Sequence, residues 1–128
     1  MQLLRKVLGM TNSQWLRKRI YDQCGVVVTS TSRSIEELSR TEWSAEFETL
    51  MRNRLIQGAL RYGVLNDPSK PQWDRVSDMK KRLDLYSEDG NTEHLVDVAN
   101  LALLEFEEGI HPLKHFSSND DLIHTKVL

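Results

Sequence analysis

Three polar residues share one face of a strongly apolar segment. Glu93, Asp97 and Asn100 fall at i, i+4 and i+7 within residues 93–108, a spacing that aligns side chains along one side of an α-helix. The rest of the segment, with Leu95, Val96, Val98, Leu101, Leu104 and Phe106 among others, is apolar in nearly every direction around the axis. A helix that is apolar all round is expected to be buried. A buried carboxylate without a partner is strongly destabilising. The stripe must therefore meet cations, a metal ion or a water-filled cleft.

Candidates for each exist nearby. Asp74 and Asp78 form a second i, i+4 acidic pair on the preceding helical segment. A short turn separates the two segments, so the helices are expected to be antiparallel neighbours. Two helical carboxylate pairs facing each other would suit Mg²⁺, which takes oxygen ligands, waters and phosphate. The alternative partners are Arg52, Arg54, Arg61, Lys81 and Arg82, which would neutralise the stripe as ion pairs. Asp74 also fits a helix start, where acids are favoured by the dipole, and Asp78 fits an i, i+4 pair with Arg82.

Other chemistry is sparse. His111, His115 and His124 lie with Asp120 and Asp121 in a loose tail. A zinc pair from His111 and His115 needs a helix there, and Pro112 argues against one. Cys24 is the sole cysteine. It rules out an internal disulfide and an all-cysteine zinc site, and no local feature activates it. The sequence holds no glycine-rich phosphate loop, nucleophile elbow or His-Glu-x-x-His.

The elements that must position these groups read as helices. Thr11, Asn12 and Ser13 precede a short helix ending near Gly25. Val26 to Thr29 is β-branched and reads as a short extended connector. Ser34 and Glu37 form a capping-box pattern, and Ser44 starts a further helix. Phe47, Leu50, Met51, Leu55, Ala59 and Tyr62 then repeat at helical spacing up to Gly63. Gly58 and Ala59 are small enough to admit a close helix. Pro68 and Pro71 mark a loop. Val76, Met79, Leu83 and Tyr86 mark the next helix, Asp89-Gly90-Asn91 a turn, and Thr92 the cap of the last helix before Gly109. The expectation is an all-α bundle of four to five helices. Its organisation is a basic N-terminal arm and helices at 1–43, a helical core at 44–110 and a polar tail at 111–128, with Phe116 a candidate to pin the tail.

The chain has 128 residues, enough for one sizeable core. Its net charge of −2 hides an asymmetry: residues 1–62 carry ten Lys/Arg against six Asp/Glu, and residues 63–128 carry seven against thirteen. The basic half is expected to meet the acidic half of its own chain or of a sister subunit, in preference to nucleic acid. Arg5 and Lys6 interrupt the apolar N-terminus before a signal core develops, and no apolar run reaches membrane-spanning length. A cytoplasmic protein with no membrane association is expected.

The order of motifs resembles a known family. A helix ends in Gly58-Ala-Leu-Arg-Tyr-Gly63, a proline-containing loop follows, and a helix carries Lys81-Arg82-Leu83. After the Gly90 turn comes Glu93-His-Leu-Val-Asp97-Val-Ala-Asn100. Over residues 44–109 this is similar to the MazG-like all-α nucleoside triphosphate pyrophosphohydrolases, which include small phage-encoded versions. The resemblance implies a homo-oligomer, a dimer or tetramer, and Mg²⁺-dependent cleavage of a (deoxy)nucleoside triphosphate by water. It implies metal ligands at Glu93 and Asp97 and a polar site residue at Asn100; the candidates for the other metal helix are Asp74 and Asp78, or Glu46 and Glu48, whose i, i+2 spacing does not share a helical face. Asp78 would take the proton of the water. Arg61, Lys81 or Arg82 would hold phosphates, and Tyr62 or Trp73 would stack on a base. The family's Glu-x-x-Glu pair is absent here, and the last acidic pair is spaced by four. The alternative expectation is therefore a non-catalytic helical protein binding a nucleotide or a protein partner, such as a phage regulatory or anti-defence factor acting in the host cytoplasm.

Overall fold

The computed structural model describes residues 12–24, 34–117 and 125–128. Five helices are present among them: α1 (Asn12–Cys24), α2 (Ile35–Thr41), α3 (Ala45–Tyr62), α4 (Arg75–Asp89) and α5 (Glu93–Glu108). The protein is all-α. None of these helices is long and apolar enough to cross a membrane. The extended connector expected at 26–29 lies outside the described residues.

The chain forms two compact units, one of residues 1–43 with 115–128, the other Ser44–Lys114. The first contains α1 and α2. The Ser34 hydroxyl accepts the Glu37 amide at 3.1 Å, starting α2 as the capping pattern requires. Ile35 is buried behind it. The Arg19 guanidinium lies 4.8 Å from the Trp15 ring centre and 5.9 Å from that of Phe116, a cation–π arrangement that ties the start of the tail to α1.

The second unit contains α3, α4 and α5. Ser44 caps α3 by accepting the Phe47 amide at 3.1 Å, and Gly63 ends the helix at a φ of 104°, which is open to glycine and strained for other residues. Asp74 caps α4, accepting the Ser77 amide at 3.1 Å and the Ser77 hydroxyl at 2.7 Å. Gly90 closes α4 in the left-handed region. The next cap differs from expectation. Thr92 makes no side-chain cap bond, and the Asn91 side-chain oxygen accepts the Glu93 amide at 3.1 Å in its place.

α4 and α5 are antiparallel. Arg75 at the start of α4 meets Glu105 and Glu108 at the end of α5, while Asp89 at the other end meets His94. α3 packs on α5, where Asn100 donates to the Met51 carbonyl at 3.0 Å. The expectation that α5 is buried all round is corrected. Only Val96 and Asn100 of this helix are buried, Ala102 is exposed and Phe106 is 65% exposed. The other apolar residues of α5 are half-buried. The α3 stripe divides similarly: Phe47, Met51, Leu55 and Ala59 are half-buried, whereas Leu50 and Tyr62 are exposed. Among the described residues a side chain at Gly58 would meet nothing within 4 Å, so none of the described elements makes the close approach expected there.

Candidate functional site

The polar stripe on α5 is graded by depth. The Glu93 side chain is 53% exposed, that of Asp97 is 13% exposed, and Asn100 is 6% exposed. Depth follows from position: Glu93 is on the first turn, and Asn100 lies where α3 packs. Cations meet the two acids. Arg54 of α3 reaches Glu93 at 3.2 Å and Asp97 Oδ1 at 3.2 Å. Arg82 of α4 donates to Asp97 Oδ2 at 2.7 Å. Its Nε also lies 3.2 Å from Asp78 Oδ1, close enough for an ion pair but not aligned as a hydrogen bond. One carboxylate thus bridges all three helices through two guanidinium groups.

A cleft of about 660 Å³ opens beside this network, within the size range of small-molecule sites. Asp74, Asp78, Asp97 and Asn100 line it, as do Arg54, Arg61 and Arg82. Tyr62 and Trp73 form its aromatic wall, edge to face with ring centres 5.8 Å apart. Both rings are substantially exposed. Of the expected site residues, Glu93 and Lys81 are not among those lining the cleft. The Ser77 hydroxyl and amide hold the Asp74 carboxyl below its ordinary pKa, so it stays anionic as a cap.

A second ion cluster was not evident in the sequence. Glu108 accepts from Lys70 Nζ at 2.7 Å, from Arg75 Nη2 at 2.8 Å and from the Asn66 amide at 2.7 Å. Lys70, Arg75 and Glu108 have side chains 9%, 4% and 8% exposed. This cluster fastens the loop after α3 to the end of α5 and so fixes the Trp73 wall. Burial pushes the Glu108 carboxyl up, but the bonds from Lys70 and Asn66 and the charges of Lys70 and Arg75 outweigh it, leaving a net lowering. The only local signal was Asp74-Arg75 at a helix start. The acids it meets lie 30 and 33 residues away.

The resemblance implies Mg²⁺ between acids of two helices, and the side chains permit a test of that fit. Asp97 has both oxygens occupied by guanidinium groups, and Asp78 faces the same Arg82. No three His, Cys, Asp or Glu side chains converge as a metal-binding group among the described residues. As folded, both acids of this pair face arginine. The His111 ring accepts the Leu113 amide at 3.0 Å, a local turn contact.

No protein-family model, curated protein or solved structure matches the chain.

Proposed function

We propose that the Ser44–Lys114 unit is a binding module for a phosphate-bearing small molecule, a nucleotide in the first instance. The observation that carries this reading is Arg61, exposed on the cleft wall with no acid against it among the described residues, and with Tyr62 and Trp73 beside it. An exposed arginine on a concave wall attracts phosphate and can grip it with paired donors. Exposed aromatic faces stack on a base of any identity. Arg61 is the cation best placed to start recognition, because the others are held by the acids described above. The test is calorimetric titration with a panel of nucleoside mono-, di- and triphosphates. Binding weakened about tenfold by Arg61→Ala, and weakened again by Trp73→Ala, is the expected result. No binding by any nucleotide would reject the reading.

Hydrolysis of the nucleotide is a second reading. It is favoured by three carboxylates, Asp74, Asp78 and Asp97, on the same wall. Release of pyrophosphate above an Asp97→Ala control would support it. Self-association fits the exposed apolar side chains of this unit, Ile56, Leu60, Phe106 and Ile110. Light scattering on the eluted protein tests it, and a monomer at all concentrations would refute it.

A further inference from the structure

We propose that Arg82 occupies the cation position between α4 and α5, so that the cleft excludes a divalent ion and takes its phosphate-bearing ligand as the free anion. The second half rests on the anion-binding reading of the cleft; the first half does not. Arg82 lies between one acid of each helix, 2.7 Å from Asp97 and 3.2 Å from Asp78. Arg54 completes the balance from the other side, meeting Asp97 and Glu93. Three carboxylates therefore share two guanidinium groups. A divalent ion would have to expel an arginine and also shed water, which Mg²⁺ does reluctantly.

A second observation marks the same place. The Asn100 side chain is 6% exposed and lines the cleft, and its Oδ1 has no hydrogen-bond partner. Its amide orientation is fixed, because Nδ2 must donate to the Met51 carbonyl. A buried acceptor without a donor is rare. Without Arg82, Asp78, Asp97 and Asn100 would offer a hard cation oxygen donors from two helices. Arg82 is thus a specificity-determining residue: it decides between metal-assisted and metal-free recognition of phosphate.

Two measurements test this. Ligand-free protein is titrated with Mn²⁺, and the unbound ion is read by electron paramagnetic resonance. Wild type should leave the signal unchanged at sub-millimolar Mn²⁺. Arg82→Ala should withdraw one equivalent, and adding Asp97→Asn should restore the signal. Wild-type binding that Asp97→Asn abolishes would overturn the proposal, as would no binding by Arg82→Ala that is folded by circular dichroism. Should Arg82→Ala not fold, Arg82→Gln takes its place under the same criteria. The second measurement is calorimetry with inorganic pyrophosphate, in EDTA and in Mg²⁺. Affinities equal within about twofold support binding of the free anion, and a gain of about tenfold with Mg²⁺ refutes it. Absence of pyrophosphate binding in both conditions refutes the anion-binding reading itself and leaves the Mn²⁺ titration to decide the role of Arg82.

Discussion

Glu108→Ala removes the acceptor at the centre of the buried ion cluster, and its cost can be worked from the contacts. The carboxylate accepts from Lys70, Arg75 and the Asn66 amide at 2.7, 2.8 and 2.7 Å. Its removal leaves Lys70 without its ion-pair partner and Arg75 with Glu105 alone, at 3.4 Å. Breaking a buried ion pair from one side costs about 3–5 kcal/mol. Lysine can carry its ammonium outward on its stem, so the lower end, about 3 kcal/mol, is expected. Domains are stable by about 5–15 kcal/mol, so such a loss is large. In urea, followed by far-ultraviolet circular dichroism, the midpoint should fall by about 1.5 M for an m-value of about 2 kcal/mol/M. A loss under about 1 kcal/mol at unchanged m would mean that the cluster behaves like surface pairs, and the reasoning would be wrong. The pH dependence gives an independent check. The Glu108 pKa is lowered on folding, so its contribution is complete above the unfolded value and is lost as pH falls through the lower folded value. Wild-type stability should decline as pH drops below the ordinary 4.5, and Glu108→Gln should flatten that decline.

Three further substitutions probe the frame around the cleft. Gly63→Ala forces a side chain into a φ of 104° with its Cβ 3.1 Å from Lys70 Cγ, and should lower stability by about 1–2 kcal/mol in thermal unfolding. Ser44→Ala removes the α3 cap and should cost about 1 kcal/mol by the same assay; an unchanged midpoint would show that the cap is replaced by water. Asn100→Ala deletes the bond to the Met51 carbonyl but also an unpartnered oxygen. Its chemical-denaturation cost should therefore be modest, about 1 kcal/mol, and a loss of several times that would show that Asn100 carries more of the α3–α5 contact than its single bond.

The sequence by itself determined the helices and their ends. Ser34, Ser44 and Asp74 satisfy amides within three residues of themselves, and Gly63 and Gly90 supply backbone angles that few other residues adopt. These are local interactions, so they are legible in local spacing. The polar stripe was legible too, as was the need for partners, since Asp97 is nearly buried and must be neutralised. Which partners it has was decided by tertiary structure. Arg54 is 43 residues from Asp97, and Arg82 is 15. Arginine and a divalent ion satisfy the same carboxylates equally well on paper, and only the crossing of α3, α4 and α5 places guanidinium groups there. The same holds for Glu108, whose contacts span 33 to 42 residues, and for Phe106, whose exposure depends on which sides of α5 the neighbouring helices cover. Periodicity tells how many faces of a helix are apolar; packing decides how many of them are covered.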